Sequence, residues 1–399
     1  MNLSQTSLAV RNPSVESHND PHQVPIVAAS SFRFHSIEHG MSIFDGQEQG
    51  HMYSRFGNPT IDAAAQKIAD LEAHGMDQPA YGLFCASGMS AIATAILSVL
   101  KGGGKVLAAP DLYGGTVNLL EEMSAQGVKY IKADTRDLAD VDRVLVQQPD
   151  VKIIYAETPS NPTLKITDLA GLAERAHAIG AKLLVDNTFA TPLLQQPLQH
   201  GADIVLHSTT KFINGHGSGM GGALVTLDEH LYHERITPVY RLYGGSGNAF
   251  DAWLVLNGLR TLPLRMERQS QAAMSVAKWL SKHPKVWRVN YPGLGSFDGH
   301  DIAIRQMKSA GAMLSFELAA DTEVAYRFMN SMRMITLAPT LGDLDTIALH
   351  PATMSHRGLD PQVRIAQGIP DGLVRLSIGL ESVEDILADL DHAIKLSGA

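Results

Sequence analysis

Hydrophobic and polar positions alternate along the chain in a pattern that predicts strands and helices in turn. Seven short apolar runs fall within about 150 residues, separated by segments with helical periodicity. Strands of four to eight residues that alternate with helices are typical of βα units, which build a mostly parallel sheet. These runs are YGLFCAS, KVLAAP, VKYIKAD, VKIIYAE, AKLLVDNT, ADIVLHS and GGALVTL. The pattern predicts one large α/β domain.

Other segments predict further helices and a second, smaller domain. IDAAAQKIADLEAHG repeats apolar residues at helical spacing and ends in a glycine, which predicts a helix before the first strand. After a break at residues 229–250, a long helical segment contains LPLRMERQSQAAMSVAKWLSKH, and SVEDILADLDHAIKLSG predicts a last helix. GAMLSFELA and LVRLSIGLE predict strands between them. The last part of the chain is therefore predicted to be α+β.

The first 50 residues differ from the rest because they are polar, irregular and interrupted by Pro13, Pro21 and Pro25. We expect an N-terminal arm here, either packed on a partner subunit or loosely attached to the body. The predicted organisation is an arm at residues 1–50, a large domain at 51–245 and a C-terminal domain at 246–399.

Composition excludes several classes of protein. The chain has 399 residues, a formal net charge of −9 and one cysteine, Cys85, so it has no internal disulfide or cysteine-rich metal site. An acidic balance argues against general nucleic-acid binding. No apolar run approaches the roughly 20 residues of a membrane helix, and the first residues lack signal-peptide features. We expect a cytoplasmic protein that binds neither membrane nor nucleic acid.

Two charged residues follow predicted strands, where open α/β sheets bind ligands. Asp186 ends the strand AKLLVD, and Lys211 follows ADIVLHS, with Ser208 and Thr210 just before it. Such a lysine can form a Schiff base, an aspartate nearby can face a protonated pyridine nitrogen, and the hydroxyls can bind a phosphate. Taken singly, Lys211 is more often a surface lysine and Asp186 a turn residue.

Two further segments carry candidate cofactor contacts. FCASGMSAIATAIL passes from strand through Ser-Gly into a helix, so the backbone N–H groups of Gly88 and Met89 would point at an anion. DLYGGT places Tyr113 after another strand, where its ring could stack on a cofactor and its phenol could exchange protons. The alternatives are an ordinary tight turn and a tyrosine that only packs.

Two arginines are candidates for binding anions. YSRFGNPT carries Tyr53 and Arg55, and the planar guanidinium of Arg55 suits a phosphate. Arg375 opens the strand-like run VRLSIGLE and could hold a substrate carboxylate, with Thr346 of LGDLDT assisting. The alternative for Arg55 is a solvated loop arginine.

Some apparent motifs carry no function. GSGMGG at residues 217–222 fits a dinucleotide fingerprint, but that fingerprint requires a helix and the strand-like run ALVTL follows. The pairs His35/His39 and His350/His356 lack carboxylate or cysteine partners at metal spacing. We expect no metal site.

Together the motifs identify a family. The sequence resembles the Cys/Met-metabolism, or trans-sulfuration, family of pyridoxal-phosphate enzymes, which includes cystathionine γ-synthase and γ-lyase, methionine γ-lyase and O-acylhomoserine sulfhydrylase. The resemblance runs through YSRFGNPT, ASGMSA, DLYGGT, ETPSNP, VDNTFATP, HSTTKFINGHG, LHPATMSH and RLSIGLE, in family order and spacing. It implies an aspartate-aminotransferase-like, fold type I enzyme with pyridoxal 5′-phosphate as cofactor.

The resemblance also implies a role for each candidate residue. Lys211 would be the Schiff-base lysine and proton carrier, Asp186 would pair with the pyridine nitrogen, and Tyr113 would stack on the ring. The phosphate would be bound by Gly88, Met89, Ser208 and Thr210, and by Tyr53 and Arg55 of a neighbouring subunit in a homotetramer built from dimers. Asn161 would contact the phenolic oxygen of the cofactor. Arg375 and Thr346 would hold the substrate α-carboxylate, where the family commonly has serine at the second place.

The implied reaction is γ-replacement or γ-elimination on an O-acylhomoserine, cystathionine or methionine, through an external aldimine and a vinylglycine-type intermediate. Gly115 stands where methionine γ-lyases usually have cysteine, and Tyr240 and Arg241 stand where they tend to have a Lys-Asp pair. We therefore favour γ-replacement over a dedicated methionine γ-lyase or cystathionine γ-lyase. A nicotinamide-dependent oxidoreductase and a non-catalytic scaffold are the alternatives from other classes.

Overall fold

The computed structural model describes residues 3–13, 21–319 and 321–398. The predicted arm at residues 1–50 therefore includes two stretches, 1–2 and 14–20, that lie outside the described residues. The described part of the arm contains two helices, α1 (Gln5–Val10) and α2 (Ile37–Phe44), which the sequence pattern did not predict. Both are short and begin at capping serines, Ser4 and Ser36, whose side chains accept backbone hydrogen bonds.

The larger sheet has seven strands, and its centre is parallel as the βα pattern predicts. Its strands are β1 (Tyr81–Cys85), β2 (Gly104–Ala108), β3 (Val128–Lys132), β4 (Val151–Glu157), β5 (Lys182–Asp186), β6 (Ile204–His207) and β7 (Gly222–Thr226). They are ordered β1-β7-β6-β5-β4-β2-β3. Strand β7 runs antiparallel to both β1 and β6, and the other pairs are parallel.

Helices connect these strands. They are α3 (Pro59–Glu72), α4 (Gly88–Val99), α5 (Gly114–Glu122), α6 (Leu138–Gln147), α7 (Leu169–Ala178), α8 (Thr191–Leu194), α9 (Glu229–Leu231) and α10 (Thr237–Leu242). Short 3₁₀ segments lie at Met123–Gln126 and Pro197–His200, and a π-helical turn lies at Tyr232–Ile236. Helix α3 begins where sequence rules place a start, with Asn58 as the cap and Pro59 in the first turn.

Both faces of the larger sheet are buried, because successive strand residues point into two different apolar clusters. Leu183 and Val185 of β5 belong to the cluster that includes α3, whereas Leu184 points into the cluster that includes α4. Cys85 lies at the end of β1 with no exposed surface, and burial raises the pKa of its thiol to about 12. The thiol therefore stays protonated at neutral pH.

A second sheet of five strands forms the C-terminal part. Its strands are β8 (Val286–Asn290), β9 (Met313–Leu318), β10 (Thr336–Leu337), β11 (Ile347–Leu349) and β12 (Leu373–Ser377), ordered β10-β11-β12-β9-β8. Its helices are α11 (Ala249–Leu280), α12 (His300–Gln306), α13 (Thr322–Ser331), α14 (Pro361–Ala366) and α15 (Val383–Ser397). Helix α11 packs on α3 and on α15. It therefore bridges the two sheets.

The structure confirms the seven strands of the larger sheet, the strands β9 and β12, and the helices α3, α11 and α15. A strand, β7, follows GSGMGG, so the segment is no dinucleotide fingerprint. The pattern missed β8, β10 and β11, which are short or exposed. The domain boundary at residue 245 falls between α10 and α11 and stays a prediction. Among the described helices, none is long and apolar enough to span a membrane.

Candidate active site

The candidate site is a cavity of about 280 Å³ beside the carboxyl ends of β4, β5 and β6. Register places Glu157 at the end of β4 directly opposite Asp186 at the end of β5. Parallel strands deliver the residues that follow them to one edge of a sheet, which is why ligands bind there. The cavity is lined by Ser87, Gly88, Met89, Ile92, Tyr113, Glu157, Pro159, Asn161, Asp186, Thr188, Phe189, Ser208, Thr210, Lys211, Met220, Pro339, Leu341 and Arg375.

Nine of the predicted site residues meet in this cavity although they are far apart in the chain. They are Gly88, Met89, Tyr113, Asn161, Asp186, Ser208, Thr210, Lys211 and Arg375. Three other predicted residues, Tyr53, Arg55 and Thr346, lie in the described part of the chain but do not line it.

Lys211 projects into the cavity from the turn that follows β6. The turn is held by backbone hydrogen bonds from Lys211 to Ser208 and from Gly215 to Lys211. The Nζ atom lies 3.1 Å from Oγ1 of Thr340, to which it donates. Burial, together with the nearby charge of Arg375, lowers the pKa of Lys211 to about 8. An amine with this pKa is partly neutral near pH 7 and can act as a nucleophile.

Arg375 lies on β12 and brings the second sheet to the same cavity. Its side chain is buried and donates from Nη1 to Oδ1 of Asn161, at 2.9 Å, and from Nη2 to the carbonyl oxygen of Thr340, at 2.8 Å. Both acceptors are neutral, and Nε has no hydrogen-bond partner among the described residues. Burial lowers the pKa of Arg375 to about 10. A buried guanidinium with neutral partners is suited to a substrate carboxylate.

Two carboxyl groups occupy the opposite part of the cavity. Glu157 accepts hydrogen bonds from the backbone N–H groups of Tyr113, at 2.7 Å, and Asn161, at 2.9 Å. Burial and the adjacent Asp186 raise the pKa of Glu157 to about 8. Removal from water also raises the pKa of Asp186, although the N–H of Thr188 donates to it at 3.0 Å. A cationic ring nitrogen beside Asp186 would offset this cost.

The N-terminus of α4 forms the end of the cavity that is suited to bind an anion. Gly88 and Met89 stand at its N-terminus, after the cap Ser87, and face Ser208 and Thr210. A Cβ on Gly88 would lie 2.8 Å from Cβ of Ser208, so any larger residue would fill the cradle. Pyridoxal phosphate requires N–H and hydroxyl donors for its phosphate, a lysine for its aldehyde and an acid beside its ring nitrogen. The residues present fit these requirements.

Tyr113 forms a wall of the cavity and is the N-terminal cap position of α5. Its ring is about half exposed, and its backbone is fixed by Glu157. Gly115 makes this ring position accessible, because a Cβ there would lie 2.5 Å from Cε1 of Tyr113 and 3.1 Å from the sulfur of Met89.

Thr346 does not line the cavity, and its role in binding the substrate carboxylate stays a prediction. Its buried hydroxyl donates to Glu381 at 2.7 Å and accepts from the N–H of Gly379 at 3.0 Å, so it fixes a turn outside the cavity. The hydroxyl beside Lys211 and Arg375 belongs to Thr340, six positions earlier in the chain. Both threonines flank LGDLD, and spacing alone does not show which one faces the site.

Sequence reasoning also missed Glu157 and Thr188. Glu157 ends the apolar run VKIIYAE, as Asp186 ends AKLLVD, and this shared position was the available signal. In the described residues, no group of three or more histidine, cysteine, aspartate or glutamate side chains is placed to hold a metal ion.

A sheet edge that joins a lysine, an aspartate and a helix N-terminus defines a pyridoxal-phosphate-dependent enzyme. The chain belongs to the Cys/Met metabolism PLP-dependent enzyme family, whose profile matches residues 5–395. This confirms the family, the cofactor and the enzyme class that the motifs predict.

Curated relatives of two activities cover nearly the whole chain. It is 42% identical over 374 residues to an L-methionine gamma-lyase of Fusobacterium nucleatum subsp. polymorphum, covering 93% of each chain. It is 38% identical over 389 residues to an O-succinylhomoserine sulfhydrylase of Pseudomonas aeruginosa, covering 97% of this chain and 94% of the relative.

A solved structure shares the fold. The cystathionine gamma synthase from Xanthomonas oryzae pv. oryzae in complex with cystathionine superposes with a TM-score of 0.92 at 38% identity, covering 100% of this chain and 99% of that one. The fold type I architecture predicted from the motifs is thereby confirmed.

The lowered pKa of Lys211 can be measured in the apoprotein. We expect competitive labelling with an amine-specific reagent, read by peptide mass spectrometry, to reach half of its maximum for Lys211 near pH 8, because burial and Arg375 disfavour the ammonium form. The exposed Lys278 corrects for changes in reagent reactivity with pH. A half-maximum near the ordinary lysine value of about 10.4 would contradict this.

The two threonines should respond differently to alanine substitution. Thr340→Ala removes the partner of Nζ but keeps the carbonyl that holds Arg375, so we expect kcat to fall about tenfold with a smaller change in KM, and Thr340→Ser to restore it. Thr346→Ala should cost about 1–2 kcal/mol of stability with near-normal kinetics. Steady-state kinetics and thermal melts measure both. A kinetic defect confined to Thr346→Ala would reverse the assignment.

Proposed function

We propose that this enzyme carries out γ-replacement on an O-acylhomoserine or cystathionine-type substrate, with Lys211 and Arg375 as its central pair. The observation that supports the proposal is that both side chains donate to Thr340. Nζ of Lys211 donates to its hydroxyl, and Nη2 of Arg375 donates to its carbonyl oxygen. An amino acid whose carboxylate is bound by Arg375 then has its α-carbon within reach of Lys211.

The charged residues of the cavity have different roles in the proposed reaction. When bound, pyridoxal phosphate supplies an electron sink that makes the α-proton of the substrate acidic. Lys211 then takes this proton on Nζ and carries it between adjacent carbons of the substrate, while Thr340 limits the directions in which Nζ can move. Asp186 would pair with the ring nitrogen of the bound cofactor and favour its protonated form. Arg375 fixes the carboxylate, and the phenol of Tyr113 acts as a further acid or base beside the cavity.

Gly115 supports replacement over dedicated elimination of methionine. A cysteine at this place, as expected of methionine γ-lyases, would require the ring of Tyr113 to move, because even a Cβ would contact that ring. Methionine γ-elimination is nevertheless the second candidate, since a relative named L-methionine gamma-lyase is 42% identical.

We also propose that two subunits build each site and that the enzyme is a homotetramer. Arg55 lies outside the cavity, where it donates to the carbonyl of Arg241 at 2.7 Å and stacks on the ring of Phe56. Apolar side chains nearby in the arm and after β7 are largely exposed in the single chain, as expected of surfaces that a second copy covers. They include Ile37, Met41, Phe44, Leu242, Tyr243 and Phe250.

Product analysis distinguishes the two candidate reactions. With O-acetylhomoserine, O-succinylhomoserine, cystathionine or methionine, each with and without a thiol, we expect faster formation of thioether products from the homoserine esters and thiol than of 2-oxobutanoate from methionine. Lys211→Ala should lower every rate at least about a thousandfold. Faster elimination from methionine would favour the second candidate, and no reaction with any substrate would refute both.

Shared sites can be tested by mixing two inactive chains. Lys211→Ala and Arg55→Ala subunits, co-expressed in equal amounts, should regain activity in about a quarter of the sites, because one site of each mixed dimer contains both native residues. A Lys211→Ala, Arg55→Ala double variant mixed with wild type is the control. If the mixture shows only the sum of the separate activities, Arg55 does not act across subunits.

A further inference from the structure

One buried charge lies next to the turn that carries Lys211 and is not used by the reaction proposed above. Arg265 belongs to α11, and only 3% of its surface is exposed. Burial lowers the pKa of Arg265 to about 10, although the charge of Asp343 partly opposes this effect. All four oxygens to which its guanidinium donates among the described residues are neutral. A buried cation is stable only when such hydrogen bonds replace its lost water.

Two of these oxygens belong to the turn itself, residues 208–215. Nη1 of Arg265 donates to the carbonyl oxygen of Phe212 at 2.8 Å, and Nη2 donates to that of Ile213 at 3.4 Å. Three backbone hydrogen bonds close the turn internally, and none of the three uses either carbonyl. Because Phe212 and Ile213 directly follow Lys211, the guanidinium supplies partners to the backbone next to the lysine.

The other two oxygens belong to α11. Nη2 also donates to the carbonyl oxygen of Gly258 at 2.8 Å, and Nε donates to Oγ1 of Thr261 at 3.1 Å. All three nitrogens of the planar guanidinium therefore make hydrogen bonds, and the helix sets the direction of its plane. Arg265 thus connects the turn to a long helix.

Close backbone packing accompanies this contact. Gly215 ends the turn with a φ of +65°, and a Cβ there would lie 2.0 Å from Nη1 of Arg265. A Cβ on Gly258 would lie 2.3 Å from the carbonyl oxygen of Asn214. Glycine at both positions therefore allows α11 and its guanidinium to reach the turn.

The segment that carries Thr340 contacts the same turn. Gly342 has a φ of +79° and lies so close that a Cβ on it would be 2.5 Å from the backbone nitrogen of Phe212. The hydroxyl of Thr340 accepts from Nζ of Lys211 at 3.1 Å. The backbone beside Lys211 is thus fixed by Arg265, and the amine of its side chain is bound by Thr340.

We infer that Arg265 is a positioning residue: its guanidinium fixes the turn after β6 and thereby the place of Nζ of Lys211 in the cavity. Arg265 does not line the cavity, so it acts only through Lys211. A displacement of about 1 Å in a reacting group can lower a rate about a hundredfold. The inference rests on the role proposed for Lys211.

Hydrogen exchange of the holoenzyme, read by peptide mass spectrometry, tests whether Arg265 fixes the turn. Arg265→Gln removes the planar fork that spans two carbonyls, so we expect peptides that cover residues 208–215 to exchange at least about tenfold faster than in wild type. Peptides from β5 and α15 should exchange at the wild-type rate. Unchanged exchange in residues 208–215, or an equal increase in all peptides, would overturn the inference.

Steady-state kinetics tests the consequence for Lys211. We expect kcat of Arg265→Gln to fall about 10–100-fold and KM to change less than about threefold, since Arg375 keeps its contacts. Arg265→Lys keeps the charge and a donor, so its kcat should be intermediate, and it serves if Arg265→Gln does not fold. An unchanged kcat, or a loss confined to KM, would contradict the positioning role.

Arg364→Gln is the matched control. Arg364 is a buried arginine of α14 that donates to the carbonyl oxygen of Ile369 at 2.6 Å, outside the cavity. Its loss should lower the melting temperature but leave kcat and the exchange of residues 208–215 unchanged. If it lowers kcat as much as Arg265→Gln does, the inference is wrong, because the loss of any buried arginine then has the same effect.

Gly215→Ala displaces the guanidinium without removing it. Its effect on kcat should be smaller in the Arg265→Gln background than in wild type, because no guanidinium is left for the added Cβ to displace. Fully independent effects of the two substitutions would speak against a shared role.

The exchange experiment requires no substrate, so it separates this inference from the proposed function. Wild-type exchange of residues 208–215 in Arg265→Gln refutes the positioning role and leaves the role of Lys211 intact. Wild-type activity of Lys211→Ala would instead refute the proposed function.

Discussion

Charge separation inside one small cavity is the constraint on which the rest of the site depends. Arg375 disfavours the charged form of Lys211, and on the other side of the cavity Asp186 disfavours the charged form of Glu157. None of the four reaches bulk water freely, so each requires neutral donors, acceptors or a ligand to be stable. Under the proposed function, a bound cofactor and a substrate carboxylate would supply the opposite charges that these side chains lack.

Both sheets are needed to place these charges. The larger, mostly parallel sheet supplies Asp186 and Glu157 from adjacent strand ends, whereas Arg375 comes from the smaller, mostly antiparallel sheet. Thr340 connects them, since it contacts both cations through different atoms. Helix α11 packs on α3 of the larger domain and on α15 of the C-terminal part. A shift of α11 would therefore alter the distance between Lys211 and Arg375.

Most of the fold follows from the sequence because the buried strands are continuous apolar runs with clear ends. Asp186 and Lys211 were found for the same reason, since each follows such a run. Thr340 was not found, because it lies in an irregular segment. Outside a helix or strand, the position of a residue in the sequence does not indicate which way its side chain points.

The neutral partners of Arg375 have a consequence for selectivity. A guanidinium held only by an amide and a carbonyl gains a matching anion when an amino acid enters the cavity, and gains none when the corresponding decarboxylated amine enters. With the role proposed for Arg375, the pocket would discriminate at the carboxylate before any bond is broken.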